Sequence, residues 1–275
     1  MSSTLAGTQI EIINPAITRG RIRFALFDFD GTLSLIREGW QGVMIPMMVE
    51  ILLQTPGAES PDEIERVVRT FVTDLTGKQT IYQMIRLAEE VARRGGQPLE
   101  PLAYKQAYHA RLWERIKERI AALESGQSDP SEMLVPGSID ILEGLRARGV
   151  TCYLASGTDE RYVLNEAALL GLTPYFAGIY GAQDDYKRFS KHMVIQRILS
   201  EHGLSGPELV AFGDGYVEIE DTHRAGGIAV GVATNEAARQ GIDAWKRERL
   251  ILAGADLILP DFREAEAVLA YLFDN

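Results

Sequence analysis

A single cysteine, Cys152, stands in the whole chain, so no intramolecular disulfide can form and a reducing compartment is compatible with the sequence. It lies in the apolar run Val150-Thr-Cys-Tyr-Leu-Ala155, where a buried core thiol is the expected state. Basic residues are also scarce. Lys and Arg number 28 against 39 Asp and Glu, giving a net charge of −11. That balance argues against general nucleic-acid binding, which needs cationic surface to neutralise phosphates. It leaves an anionic substrate open, because a few local cations and a metal can reverse the field in one pocket. Long hydrophobic runs are missing too: no window approaches the roughly 18 apolar residues of a membrane span. Met1 to Pro15 lacks the basic start and apolar stretch of a signal peptide. A cytoplasmic protein is expected, with no membrane or nucleic-acid partner.

What is present is ample core material, 46% hydrophobic and 24% charged residues, over a length that suits one large domain or a domain with an insert. Ile22 to Phe27 reads as a buried strand running into the polar turn Asp28-Phe-Asp-Gly-Thr32. Gln9 to Ile13 is a second, weaker strand signal. From about Leu35 to Leu134 helical spacing takes over. Trp40, Val43, Met44, Met47, Met48, Ile51 and Leu52 share one face, with the methionines expected to be core packing. Ser60-Pro61-Asp62-Glu63 then carries an N-cap serine with a proline behind it. Further helices are expected over 79–93 and 101–123.

From Gly137 strands and helices alternate. Strands are expected over 150–155, 177–180, 209–212, 228–232 and 257–259. Helices are expected over 139–148, 159–170, 191–202, 219–225, the stretch up to Leu252, and 264–273, several of them stopped by a glycine. Such alternation means parallel βαβ units. The predicted architecture is a doubly wound, Rossmann-like α/β core from residues 1–34 and 135–275, interrupted by an α-helical cap over 35–134.

In open parallel sheets ligands bind beyond the carboxyl ends of the strands. Those ends present Asp28 and Asp30, then Ser156-Gly157-Thr158, then Gly213-Asp214-Gly215. Lys187 and Lys191 precede or open a helix between the last two. Three carboxylates are hard oxygen ligands suited to Mg²⁺. A lysine and a hydroxyl at a helix start suit a phosphoryl group, and one of Ser156 and Thr158 is expected to cap the following helix as well. Metal, lysine and a free carboxylate together describe phosphoryl transfer, which an aspartate nucleophile divides into two easier displacements.

With these residues in place the chain resembles the haloacid dehalogenase superfamily of phosphohydrolases, over essentially its whole length. Phe24-Ala-Leu-Phe27 followed by Asp28-Phe-Asp30-Gly-Thr-Leu33 is similar to the first motif, hhhDxDGT. Leu154-Ala-Ser156-Gly-Thr158 is similar to the second, Lys191 best fits the third, and Phe212-Gly-Asp214-Gly-Tyr-Val-Glu218 the fourth. The resemblance implies that Asp28 attacks phosphorus and that Asp30 protonates the leaving alkoxide and then activates water. It implies that Ser156, Gly157 and Lys191 hold the phosphoryl oxygens, and that Asp28, Asp30, Asp214 and Glu218 serve a Mg²⁺ ion, with Glu220 and Asp221 as nearby alternatives to Glu218.

The insert sits where the family carries a helical cap of the C1 type (subfamily I, phosphoglycolate phosphatase and β-phosphoglucomutase-like). Such a cap favours a small phosphorylated metabolite over a protein substrate. Lys78 in the turn Thr76-Gly-Lys-Gln-Thr80, with Arg37 and Trp40, is the candidate substrate contact. The expected activity is Mg²⁺-dependent phosphatase action, with a β-phosphoglucomutase-type phosphomutase as alternative. A dehalogenase fits poorly, since Asp30 has an acid–base duty only if an alkoxide leaves. A non-catalytic phosphoaspartate receiver lacks this motif and cap. The four histidines show no ligand spacing.

Overall fold

In the computed structural model, the residues described are 3–183, 185, 186 and 189–274; Lys187, one of the two lysines offered for phosphate binding, lies outside them. Apolar strands and amphipathic helices build one mixed sheet. The strands are β1 (Ser3–Thr4), β2 (Glu11–Ile12), β3 (Phe24–Phe27), β4 (Thr151–Asp159), β5 (Phe176–Ala182), β6 (Leu209–Gly213), β7 (Ile228–Val232) and β8 (Leu257–Leu259), in spatial order β1-β2-β8-β7-β6-β3-β4-β5. From β8 to β5 all pairs are parallel; β1 and β2 extend the β8 edge antiparallel. Helices α5 (Ser138–Ala147), α6 (Glu160–Leu169), α7 (Lys191–His202), α8 (Tyr216–Arg224), α9 (Ala244–Leu252) and α10 (Ala265–Phe273) make the crossovers and the C-terminal cover. The doubly wound α/β class expected from the alternation is thus the fold.

β3 is the central strand. It pairs with β4 on one side and β6 on the other, Phe27 lying opposite both Leu154 and Phe212. The chain winds first toward β5 and then, from β6 onward, in the opposite direction. This reversal opens a crevice at the carboxyl end of β3, the switch point where doubly wound sheets bind ligands. The strand ends in Phe24-Ala-Leu-Phe27, wholly buried; Phe27 stacks on Phe212 at 4.7 Å between ring centres. The polar residues that follow are therefore presented from a rigid, dry base.

Helices α1 (Gln41–Leu53), α2 (Pro61–Asp74), α3 (Thr80–Arg93) and α4 (Pro101–Glu124) fill the segment between β3 and α5. Ser60 caps α2 as its sequence requires, its Oγ accepting from the Glu63 N–H at 3.4 Å, with Pro61 in the first turn. Met44, Met47 and Met48 are buried in the core. The two chain passages into and out of these helices run side by side: Leu35 N–H donates to Met133 O and Val135 N–H to Leu33 O. Three features bind the helices back to the sheet. The Gln79 side chain donates to Phe189 O at 2.7 Å, Arg37 pairs with Glu166 on α6, and Lys105 pairs with Asp159 at the end of β4.

Several expected boundaries move. β4 continues to Asp159, so Ser156-Gly157-Thr158 lies within the strand, not beyond it, and α6 starts only at Glu160. The expectation that Ser156 or Thr158 caps that helix is corrected as well. Its N-cap is Asp159, which makes no side-chain cap bond, and both hydroxyls turn toward Asp30 instead. α8 begins at Tyr216, three residues before the expected start, with Glu218 accepting from the N-cap Gly215 N–H. Cys152 is buried and its thiol pushed up to about 12 by desolvation, in keeping with a core residue. No helix among the described residues is long and apolar enough to cross a membrane.

His109 of α4 sits beside Asp159, with Nδ1 3.8 Å from Oδ2 and its ring edge-on to Tyr162. Burial holds its imidazole down to about 4 despite the neighbouring carboxylate. A depressed folded value means the native state resists protonation, so stability present above the unfolded value of 6.5 is lost as pH falls toward 4. Between pH 7 and pH 5 wild type should lose roughly 2 kcal/mol more than His109→Gln in urea titrations; parallel losses would refute this.

Candidate active site

Asp28 follows β3 directly, its backbone N–H bonded to Phe212 O at 2.9 Å, so its side chain leaves the sheet at the switch point. Its Oδ1 accepts from Phe29 N–H at 2.8 Å, and its Oδ2 meets Lys191 Nζ at 2.8 Å. Burial pushes the Asp28 carboxyl well above the usual range; Lys191 pulls the other way, while Glu218 and Asp214 add to the rise. Lys191 opens α7 behind the N-cap Ser190. Its Nζ bridges Asp28 Oδ2 and Glu218 Oε2, each at 2.8 Å. Burial disfavours its charge, yet the two carboxylates outweigh that and keep it firmly protonated.

β6 supplies Asp214 at its carboxyl end. The Asp214 N–H donates to Thr32 Oγ at 2.9 Å, which joins the loops after β3 and β6. Gly31, at φ 75°, makes room for it: a Cβ there would stand 2.2 Å from Asp214 Oδ2. Glu218, in the first turn of α8, accepts from Gly215 N–H at 2.7 Å through Oε1 while Oε2 takes Lys191. Carboxylate oxygens of Asp28, Asp214 and Glu218 lie within 4.8 Å of one another. Such a set of hard oxygen donors fits a divalent cation of the Mg²⁺ type. Asp221 is turned to His192 and Arg224, and Glu220 to Arg224, so the cluster contains Glu218 and neither alternative.

Asp30 stands apart from that cluster. Thr158 Oγ donates to its Oδ2 at 2.8 Å and Ser156 Oγ at 3.4 Å, while the Ser156 Oγ accepts from Thr158 N–H. The other oxygen, Oδ1, is shielded from solvent, has no hydrogen-bond partner among the described residues, and lies 3.8 Å from Arg37 Nε. A carboxyl fixed through one oxygen and open at the other can give or take a proton there.

These groups surround a cavity of about 100 Å³. Asp28, Asp30, Ser156, Gly157, Lys191 and Asp214 form its floor. Lys78, Arg37 and Trp40 line it from the helical side, with Tyr108 and Gln83. Glu218 does not line the cavity but meets Lys191 and lies in the carboxylate cluster with Asp28 and Asp214, while Lys187 lies outside the described residues. Lys78 is exposed on the 76–79 turn, which rests on glycines. A Cβ at Gly157 would meet Lys78 O at 2.9 Å, and one at Gly77 would meet Gly215 Cα at 3.2 Å. Arg37 lines the cavity, but its guanidinium is held by Glu166, with Nη2 to Oε1 at 2.6 Å.

Sequence reasoning missed Lys246, Glu236 and Glu166. Lys246 Nζ reaches Asp214 Oδ2 at 2.7 Å and Glu236 Oε1 at 2.5 Å. No signal marks it, since Trp-Lys-Arg-Glu-Arg reads as a solvated helix face. Burial pushes the Glu236 carboxyl up; Lys246 opposes that rise.

Comparison with known proteins accords with this geometry. A family model for haloacid dehalogenase-like hydrolases matches residues 22–226. A curated relative, a 5'-nucleotidase of Pseudomonas aeruginosa, is 26% identical over 215 residues, covering 75% of this chain and 80% of the relative. Among solved structures, a predicted phosphoglycolate phosphatase from Haemophilus somnus superposes with a TM-score of 0.60 at 17% identity, over 90% of this chain and 98% of that one. The β-phosphoglucomutase of Clostridium difficile superposes with 0.61 at 13% identity, over 91% and 97%. With the family model spanning well over half of its residues, from β3 through α8, the chain belongs to the haloacid dehalogenase-like hydrolases.

Proposed function

We propose that the protein is a Mg²⁺-dependent phosphatase that hydrolyses a small phosphorylated metabolite through an aspartyl-phosphate on Asp28. The observation that carries this reading is the pairing of two differently held carboxylates at one strand end. Asp28 is ion-paired to Lys191, and Asp30 keeps one shielded oxygen open. In this reading residues 1–34 and 135–275 form the catalytic core and 35–134 the cap.

Asp28, the Asp30 backbone carbonyl and Asp214 would hold the metal, with Glu218 as the third carboxylate of the cluster. When bound, Mg²⁺ supplies positive charge to the phosphoryl oxygens. The chain's own groups do the rest. Ser156, the Gly157 backbone and Lys191 bind those oxygens. Asp28 attacks phosphorus and the P–O bond to the alcohol breaks. Asp30, protonated, gives its proton to the departing alkoxide. It then takes one from water, whose oxygen attacks the aspartyl-phosphate and releases inorganic phosphate with Asp28 restored. Lys191 meanwhile screens the anionic nucleophile from an anionic substrate.

The small cavity roofed by helices supports a small organic phosphomonoester. The relatives' names add nucleoside monophosphates, phosphoglycolate and sugar phosphates as classes to test, with Lys78, Arg37 and Trp40 as the contacts on the cap side.

Phosphate release from such a panel should require Mg²⁺ and fall at least roughly a thousandfold in Asp28→Asn; turnover surviving in that variant would remove the nucleophile. Thr158→Val, which removes the shorter of the two hydrogen bonds to Asp30 Oδ2, should lower kcat by roughly ten- to a hundredfold with little change in KM. Lys78→Ala should raise KM for the preferred substrate roughly tenfold with kcat nearly kept, and an unchanged KM would exclude Lys78 from substrate binding.

A further inference from the structure

Asp214 is held on a second side by groups outside the motifs. Lys246, on the first turn of α9, and Glu236, in the loop between β7 and α9, do not line the cavity and meet Asp214 from outside it. Lys246 Nζ donates to Asp214 Oδ2 at 2.7 Å and to Glu236 Oε1 at 2.5 Å, and only 9% of Lys246 is exposed. Asp243 caps α9, its Oδ1 accepting from the Lys246 N–H at 2.9 Å, which fixes where the lysine side chain begins. Gly31 closes the arrangement: a Cβ on it would lie 2.2 Å from Asp214 Oδ2 and 3.0 Å from Glu236 Oε1. The lysine, both carboxylates and the loop carrying Asp30 are therefore packed as one unit.

The geometry points to Glu236 and Lys246 as a positioning pair for Asp214: the ammonium holds one carboxylate oxygen so that the other is presented to the divalent cation. Glu236 shares the lysine's charge, so that Lys246 orients Asp214 without neutralising it. This rests on the proposed Mg²⁺-dependent reading of the site. Partners that orient a metal's ligands are worth ten- to a hundredfold in metal affinity.

The sign of the effect separates positioning from simple electrostatics. Lys246 is a cation beside a cation site, so on charge alone Lys246→Met would bind Mg²⁺ more tightly. A positioning role demands the opposite. Calorimetric titration of Mg²⁺ into the whole protein without substrate measures this directly. We expect the Mg²⁺ dissociation constant to rise roughly ten- to a hundredfold in Lys246→Met and by a lesser factor in Glu236→Gln. Lys246→Arg should stay within a few-fold of wild type. Should Lys246→Met fail to fold because two half-buried carboxylates face each other, the double variant Lys246→Met, Glu236→Gln removes that repulsion. It should melt like wild type yet still bind Mg²⁺ weakly. Unchanged or tighter Mg²⁺ binding in a folded variant lacking Lys246 overturns the pair's role and leaves the phosphatase reading intact. Wild type that takes up no Mg²⁺ overturns that reading and this inference together.

Discussion

Three carboxylates meet at the end of β3, and the contact on which the site depends is Lys191 Nζ between Asp28 and Glu218. Without an enclosed cation, Asp28, Glu218 and Asp214 would repel one another at a poorly solvated strand end, where burial already pushes the Asp28 carboxyl upward. One ammonium at 2.8 Å from two of them makes their burial tolerable. Breaking one member of such a set is far costlier than its net worth, because the remaining charges stay buried and unmatched. Lys191 is in turn fixed by the start of α7, where Ser190 caps the helix. Glu218 is fixed by the start of α8, where it caps its own helix. Helix termini thus set the position of the charges.

The sheet explains why these termini converge. Reversal of winding at β3 places the loops after β3, β4 and β6 side by side, and α7 and α8 start there. Glycines allow the final approach: Gly31 under Asp214, Gly157 under the 76–79 turn, Gly215 against Gly77. The segment carrying helices α1–α4 reaches the same crevice through that turn and through Arg37 and Tyr108, so the cavity is walled by both parts of the chain. Asp30, the proposed acid–base group, is oriented by hydroxyls of β4, while Asp28, the proposed nucleophile, is oriented by a lysine of α7. Two carboxylates two residues apart thereby acquire separate environments, which is what separate roles require.

Much of this was legible in the residues. The strands over 228–232 and 257–259 and the helix over 191–202 have the bounds expected from apolar runs and glycine stops. At two shifted boundaries a side-chain interaction beyond the reach of periodicity accompanies the shift. Glu218 accepts from the Gly215 N–H where α8 starts, at Tyr216, and the hydroxyls of Ser156 and Thr158 bond to Asp30 where β4 runs past its apolar stretch. The choice of Glu218 over Glu220 and Asp221 likewise follows from the helix start. Lys246, Glu236 and the Arg37–Glu166 pair were not legible, because each depends on packing between segments distant in sequence. A lysine in a charged helix carries no local mark of burial. β2 falls within the weaker strand signal of Gln9 to Ile13, whereas β1, two residues long, is too short for any pattern to reveal.

The central claim is that Asp28 becomes phosphorylated during turnover. The most direct measurement is rapid acid quenching of the Mg²⁺-loaded enzyme with a turned-over phosphomonoester, followed by peptide mapping of the trapped acyl-phosphate. The account predicts phosphate on the peptide carrying Asp28, formed and lost at rates consistent with kcat. Steady turnover with no covalent phosphate, or with phosphate on another residue, would contradict it.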